Sequence, residues 1–375
     1  MILKSYIKMV LQVLRRLDYI LLYIWYRLRY GITPRQVLFL SDSRNTMTGN
    51  FYFIEKALDE SYIIKKHLYE SGLMKHDKKS ICKDMATSQY ILIDDFYPII
   101  YPIPLRKQTK LIQVWHAVGA FKTVGFARKQ NHDRFSMTHR HYTDTIVSSE
   151  SIRKDYAKAF RMDIQDVHSY GIPRTDIFFD EDYKKQVKKD LYDKYPMLKG
   201  KKVILFAPTF RGNDIHKAYY DFSQIHFSSL QQSLGEDYVC IIKLHPFIKN
   251  KYQETLDPQF YIDLTSMREI NDLLFITDIL ITDYSSVIFE ASLLDIQTIF
   301  FAYDLQEYIQ ARDFFYPYEE YTYGPVVKNQ KELEKAILNP NDYSQKKEKF
   351  QKKFMSSCDG KSTKRFVEQL LGGKS

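Results

Sequence analysis

Two histidines close short apolar runs in this sequence. Leu111-Ile-Gln-Val-Trp115 leads into His116, and a loop with glycines at 119 and 125 follows. Tyr238-Val-Cys-Ile-Ile-Lys-Leu244 leads into His245, and Pro246 turns the chain. A neutral imidazole near pH 7 can take the proton of an attacking hydroxyl, and a second can neutralise a leaving phosphate. Ser285 and Ser286 follow another run, Ile279-Leu-Ile281, at the start of a helical stretch. Hydroxyls and free backbone N–H groups at such a start suit a phosphate. Glu290 stands four residues after Ser286 on the same helix face, where a carboxylate can accept from a ribose diol. Arg211, in Phe206-Ala-Pro-Thr-Phe-Arg-Gly212, offers a bidentate phosphate contact, and Lys122 and Arg128 are further candidates for holding phosphate or acceptor.

Each of these residues also has a plainer reading. His116 can cap a sheet edge, His245 can belong to a polar turn, and Arg211 can lie on the surface. Ser286 can be an ordinary N-cap with Glu290 solvated. His132, His139 and His141 fall in a basic, polar loop without carboxylate or cysteine at metal-ligand spacing, so they read as solvated and no metal site is expected.

The surrounding elements favour the functional readings. Candidate strands at Gln36–Leu40, Tyr90–Ile93, Leu111–Trp115 and Thr145–Ser148 alternate with helical stretches, of which Phe51–Tyr69 and Ser151–Phe160 are the clearest. After the charged segment 180–200 a second series follows, with strands at Lys202–Phe206, Tyr238–Leu244, Ile279–Ile281 and Thr298–Phe301. Its helices are predicted at Met267–Phe275, Ser286–Leu294 and Gln330–Leu338. Short runs rich in Val and Ile, separated by helices, read as buried parallel strands. The fold class is therefore α/β, with two Rossmann-like domains facing across a cleft: 35–195 for the acceptor and 196–375 for the donor. A last helix, Lys361–Leu371, crosses back to the first domain. Parallel sheets bind ligands at the carboxyl ends of their strands, where both histidines fall.

Composition narrows the classes. Of 375 residues, 45% are hydrophobic and 27% charged, which excludes a largely disordered chain. The 30 Tyr and 25 Phe read as an aromatic-rich core. Cys82, Cys240 and Cys358 are far apart, without CxxC spacing, and fit a reducing compartment. There is no GxGxxG, Walker A, GxSxG or HExxH motif, and the lone Asp-x-Asp, Asp180-Glu-Asp182, sits in an acidic run opening a helix. The net charge of +9 suits an anionic partner.

Residues 1–34 stand apart as an amphipathic, membrane-associating segment, with a predicted helix over 1–30. It carries Lys4, Lys8, Arg15, Arg16, Arg27 and Arg29 against Asp18, and its longest uncharged run, Tyr19–Tyr26, is eight residues. A spanning helix needs about 20. A basic, aromatic helix of this kind is expected to lie in the plane of an anionic membrane surface.

Six motifs occur in order: Trp115-His116 with Gly119-Ala-Phe-Lys122, Gly171-Ile-Pro-Arg-Thr-Asp176, Ala207-Pro-Thr-Phe-Arg-Gly212, Leu244-His-Pro246, Thr282-Asp-Tyr-Ser-Ser286 with Glu290, and Asp359-Gly-Lys-Ser-Thr-Lys-Arg365. Together, over about residues 36–371, they resemble the CDP-glycerol glycerophosphotransferase family of teichoic acid synthesis. That resemblance implies a GT-B fold and peripheral attachment to the cytoplasmic face of the cell membrane. It implies transfer of glycerol phosphate or ribitol phosphate from a CDP-polyol to a lipid-linked saccharide or polyol-phosphate acceptor, with release of CMP. It places the family's essential histidines on His116 and His245, its phosphate cradle on Ser285 and Ser286, and its ribose contact on Glu290. No cofactor is required beyond the donor substrate, and no nucleic-acid partner is expected. The alternatives are a nucleotide-sugar glycosyltransferase or 2-epimerase on the same fold, and a non-catalytic basic adaptor for membrane or nucleic acid.

Overall fold

The computed structural model describes residues 2–69, 77–129, 135–212, 217–267 and 269–373. The chain divides into two units, Met1–Asp176 with Met355–Ser375, and Ile177–Phe354. The boundary thus falls at Asp176, ahead of the expected 195. The helix Glu181–Lys194, capped by the Asp180 side chain accepting from Tyr183 N, belongs to the second unit. That cap is also what the Asp-x-Asp run does here.

The first unit is built on strands β1 (Thr33–Ser41), β2 (Ile63–Leu68), β3 (Ser88–Ile93), β4 (Lys110–Gln113), β5 (Asp144–Ile146) and β6 (Val167–His168). They form one parallel sheet in the order β2-β1-β3-β4-β5-β6. The middle strands are buried along their length because both faces are covered: Val37, Phe39, Leu92 and Ile112 share a core with Phe51, Ile54, Phe366 and Leu370.

The second unit uses β7 (Lys202–Phe206), β8 (Tyr238–Ile242), β9 (Tyr261–Asp263), β10 (Ile279–Thr282), β11 (Gln297–Phe301) and β12 (Val326–Val327), in the order β12-β11-β10-β7-β8-β9. Counted from its own first strand this is the 3-2-1-4-5-6 order of a Rossmann sheet. Its core joins Phe206, Ile242, Ile281 and Phe301 to Phe227 and Leu333.

Strand order reverses between β1 and β3 in one sheet and between β7 and β10 in the other. In open parallel sheets the crevice outside the carboxyl ends of strands at such a point is where ligands bind.

Several elements differ from expectation, among them the helix expected at Met267–Phe275, which is the single turn Asn271–Leu274. The stretch read as one helix, Phe51–Tyr69, is helix α3 (Gly49–Lys56) followed by β2. Among the described residues strand β2 pairs only with β1, and Ile63, Lys65 and Lys66 are exposed, so its sequence shows no apolar run; charged edge residues of this kind block further strand pairing. The helix expected over 1–30 is two helices, α1 (Ile2–Leu14) and α2 (Leu17–Arg29), parted at Arg15 and Arg16. Short strands β6, β9 and β12, of two or three residues, carry too little pattern to be read at all.

Helix α2 packs Tyr19 and Tyr23 on helix α4 (Lys78–Thr87) and the segment that follows β3; the Tyr23 hydroxyl accepts from Arg106 N at 3.0 Å. The other face of the pair carries exposed Leu3, Ile7, Leu11, Leu14, Leu17, Leu21, Trp25 and Leu28 at helical spacing. Among the described residues no helix is long and apolar enough to cross a membrane.

Two of the six motifs are structural seams of the first unit. Asp176 accepts from the N–H groups of Ser362 at 3.0 Å and Thr363 at 2.7 Å, capping the last helix, Ser362–Leu370, from another part of the chain. Arg365 donates to Tyr170 O and binds Asp359 with two nitrogens. Gly171, at φ +84°, lies so close to this return segment that a Cβ would meet Ser357 O at 2.2 Å. The returning helix puts Phe366 and Leu370 in the first unit's core, as expected of the crossing segment.

Candidate functional site

In the first unit, β4 ends at Gln113 and the chain turns sharply at Trp115, which has φ +49°. A bulky residue in this left-handed region is strained and needs outside support. The support is polar and buried. Gln113 Oε1 accepts from Trp115 N at 2.9 Å. Asn50 Nδ2 donates to Val114 O at 3.0 Å and to Trp115 O at 2.9 Å, while its Oδ1 accepts from Arg174 N. Arg174 Nη1 donates to His116 O at 2.6 Å. Every peptide around the turn is held, and His116 leaves it as a half-exposed side chain, 44% accessible.

The His116 Nδ1 lies 3.4 Å from Asp95 Oδ2. A carboxylate facing Nδ1 favours the tautomer with the proton there, leaving the Nε2 lone pair to accept. Asp95 follows β3, directly at the strand-order reversal. Asp42, after β1, is pushed up to about 6 by burial and by Asp95 and Asp94. Asp94 is buried against Arg44, whose Nε is 2.5 Å from Asp94 Oδ2; burial raises the Asp94 carboxyl despite that partner.

Of the loop histidines, His139 is not solvated, whereas His141 is exposed, as expected. His139 is buried among Trp115, Phe126, Tyr142 and Phe160, and burial lowers it to about 4, so at neutral pH it packs as an uncharged ring. His141 Nε2 lies 2.9 Å from Tyr101 O, and the partial burial of that contact lowers it as well. Both residues sit at positive φ. His132 lies outside the described residues.

In the second unit, β8 ends at Ile242 and His245 follows three residues later, its ring 4.8 Å from Phe210 and 4.7 Å from Phe247. Its Nδ1 accepts from Phe247 N at 3.2 Å, so the neutral ring carries its proton on Nε2. Strand β7 separates β8 from β10, which places the two strand ends about 10 Å apart. At the β10 end, Ser285 Oγ accepts from Val287 N at 3.3 Å. Ser285 therefore makes the side-chain contact expected of Ser286, which has helical φ and ψ and no capping bond of its own. Glu290, on the helix Val287–Ser292, is 2% exposed rather than solvated.

Arg211 does not fit the expected phosphate contact. Its side chain is 6% exposed, and its guanidinium is committed: Nε to Asp304 Oδ2 at 2.6 Å, Nη2 to Asp304 Oδ1 at 2.8 Å, Nη1 to Asp283 Oδ2 at 2.8 Å and to Thr209 O at 2.5 Å. Tyr220, Tyr284, Tyr303 and Tyr308 ring it at 5.0–5.4 Å. Burial opposes its charge, but the two carboxylates outweigh it and hold it more firmly protonated than usual. Arg211 thus ties together the loops after β7, β10 and β11. A partly exposed cation at this end is Arg312, which donates to Gly212 O at 3.0 Å and lies over the Phe210 ring that packs on His245.

Residues 22–372 match the family described as CDP-Glycerol:Poly(glycerophosphate) glycerophosphotransferase. The chain belongs to this family. Among curated relatives of the glycerophosphotransferase family, the teichoic acid poly(ribitol-phosphate) polymerase of Bacillus spizizenii is 45% identical over 91% of this chain and 56% of its own length. The ribitol-phosphate polymerase TarL of Staphylococcus aureus is 41% identical over 93% of this chain and 64% of its own. The glycerol-phosphate primase of Bacillus subtilis is 32% identical over 76% of this chain. The chain therefore spans just over half of the first relative and under two thirds of the second. The solved structure of the wall teichoic acid polymerase TagF superposes with a TM-score of 0.75 at 22% identity, covering 98% of this chain and 97% of that one, which establishes the GT-B class of fold. A UDP-GlcNAc 2-epimerase from Neisseria meningitidis reaches 0.54 at 12% identity, a likeness of fold alone.

Within this family member, His116, His245, Ser285 and Ser286 all lie at or just beyond the carboxyl ends of parallel strands, and Glu290 lies one turn along the helix that Ser286 opens. Lys122 is partly exposed in the loop after His116, and Arg128 is exposed, its Nε donating to Thr123 O at 3.2 Å. Asp95 and Asn50 stand in none of the six motifs, and Arg174 stands in the Gly171–Asp176 motif without a role assigned to it. Asp95 follows an apolar strand, as both histidines do, and that position was its one available signal. Asn50 and Arg174 act through contacts with residues far along the chain, which no local pattern reports.

Proposed function

We propose that this chain transfers a polyol phosphate from a CDP-polyol to the hydroxyl of a lipid-linked acceptor, releasing CMP. The observation that carries this reading is the opposite wiring of two strand-end histidines in a member of this family. His116 has Nδ1 toward a carboxylate and presents Nε2 as an acceptor. His245 has Nδ1 occupied by a backbone N–H and presents Nε2 as a donor. His116 Nε2 takes the acceptor hydroxyl's proton as the oxygen attacks the phosphorus bearing the polyol. The bond from that phosphorus to the bridging oxygen breaks, and CMP departs with the electron pair. His245 Nε2–H and the Ser285–Ser286 turn stabilise the charge on the transferring and leaving phosphates. Arg312 supplies the cation that buried Arg211 cannot. Glu290 accepts from the ribose.

The donor is CDP-ribitol before CDP-glycerol, on the support of 41–45% identity to ribitol-phosphate polymerases against 32% to a glycerol-phosphate primase. The exposed stripe of α1 and α2 suits in-plane attachment to the cytoplasmic surface of an anionic membrane. The deciding experiment supplies CDP-ribitol and CDP-glycerol in parallel with a lipid-linked acceptor and measures CMP. Faster release from CDP-ribitol is expected; no acceptor-dependent release from either donor overturns the reading.

A further inference from the structure

The break between α1 and α2 lies over a cavity in the first unit of about 170 Å³. Gln12, Arg15 and Arg16 form one side, and Phe96, Tyr101 and Met137 face them from the segments after β3 and before β5. Neither residue at the break is Gly or Pro, so the break is not written into local sequence. It is held from outside: the Tyr6 ring packs edge-on against Phe135 at 5.7 Å on one side of it, and Tyr19 is buried beside α4 on the other.

Among the described residues neither Arg15 nor Arg16 meets a carboxylate. The nearest acidic residue in sequence, Asp18, is taken by Lys78. Two adjacent cations therefore face a cavity whose opposite wall is aromatic and apolar. Just outside it, Leu11, Leu14, Leu17 and Leu21 are exposed in a continuous stripe. A ligand matching these surfaces has an anionic head and an apolar tail. Arginine forks prefer phosphate oxygens, and the exposed leucines match alkyl chain. A phosphate or diphosphate fits the volume.

We infer that this cavity holds the phosphate end of a lipid phosphate, with the lipid tail leaving along the exposed stripe of α1 and α2. The inference rests on the reading that the first unit handles a lipid-linked acceptor, and it names the part of that acceptor the unit grips. The cavity adjoins the His116 turn through packed rings: Phe96 follows Asp95 in sequence, and both Phe96 and Trp115 pack on His139. The grip on the lipid end and the catalytic base thus belong to one body.

The test uses the full chain with no donor present. Water-soluble short-chain alkyl diphosphate is titrated calorimetrically into wild type, Arg15→Ala/Arg16→Ala and Lys8→Ala/Arg29→Ala. The last variant removes equal charge from exposed positions outside the cavity. The affinity is expected to fall tenfold or more in the first variant and less than twofold in the second. A parallel titration with short-chain phosphatidylglycerol separates the sources. Preference for the diphosphate assigns the site to the acceptor, and equal binding of both, equally sensitive to Arg15→Ala/Arg16→Ala, assigns it to a bilayer phospholipid. Equal losses in both variants, or no binding to wild type, overturn the proposal. Because no turnover is read, this outcome is independent of whether the chain transfers polyol phosphate. A kinetic arm then checks that KM for lipid-linked acceptor rises tenfold in Arg15→Ala/Arg16→Ala while KM for CDP-polyol stays within twofold.

Discussion

The two sheets end in chemically different surroundings. Around His116 the strand ends carry carboxylates, Asp42, Asp94 and Asp95, and the turn that carries the histidine is strained and braced by buried amides. Around His245 they carry aromatic rings, and the principal charges, Arg211 with Asp283 and Asp304, are locked in a buried triad. The difference teaches how one residue type serves two roles. A carboxylate beside Nδ1 makes a histidine an acceptor at Nε2, and a backbone N–H at Nδ1 makes it a donor there.

The sharpest way to break this comparison is to replace the rings by a group that donates but cannot take a proton. His116→Ala and His245→Ala are each expected to cut turnover by about 10²-fold or more. His245→Gln retains an N–H donor and should recover part of the loss; His116→Gln should recover none. Recovery at 116 and not at 245 would reverse the roles, and single-turnover CMP release reads it directly.

The next largest effect concerns the buried triad. Arg211→Met leaves Asp283 and Asp304 without their cation and is expected to cost about 3–5 kcal/mol of stability, seen as a lower denaturation midpoint. The donor affinity of the folded fraction should hold within a few-fold. A stable Arg211→Met protein that has lost CDP-polyol binding would instead return Arg211 to the donor site.

Asn50 tests the brace on the other side. Asn50→Ala frees the Trp115 turn, and turnover should fall about 10- to 100-fold, the scale expected when a catalytic group is misplaced by about 1 Å. KM for the donor should not change. The His116 ring resonances in NMR should broaden or shift, a readout that general destabilisation of the second unit would leave alone.

The smallest effects are in pH. His139, held near 4 by burial and by Arg128, stabilises the first unit fully above its unfolded value of about 6.5, and that contribution is lost as pH falls towards 4. Asp42, raised to about 6, works in the opposite sense: its contribution is complete below about 4 and is lost as pH rises through 6. His139→Phe should flatten the acid side of the stability profile and Asp42→Asn the neutral side, each by about 1–2 kcal/mol. Urea midpoints at pH 4.5, 6 and 7.5 check both. If these variants leave the profile unchanged, the pH-sensitive groups lie elsewhere and the contrast between the two strand ends weakens.

Much of this was legible in the chain itself. Runs such as Val37–Leu40, Ile204–Phe206 and Ile279–Ile281 are apolar on both faces because both faces are covered, and that pattern survives without any partner in view. The positions of His116, His245 and Ser285 at the ends of such runs followed from the same pattern. Strand Ile63–Leu68 did not, since an edge strand has one covered side and can carry Lys65 and Lys66.

What the sequence determined by itself is therefore periodic or contiguous: two parallel sheets, the chemistry at their strand ends, and the family to which six ordered motifs assign the chain. Tertiary structure decided everything that depends on residues far apart. It buried Arg211 between Asp283 and Asp304, turned His139 into a ring cage, parted α1 from α2, and set what faces the Nδ1 of each histidine. The physical reason is range. Hydrophobic periodicity is written within a few residues, whereas desolvation and hydrogen-bond partners are set by whatever the fold brings within about 3–5 Å.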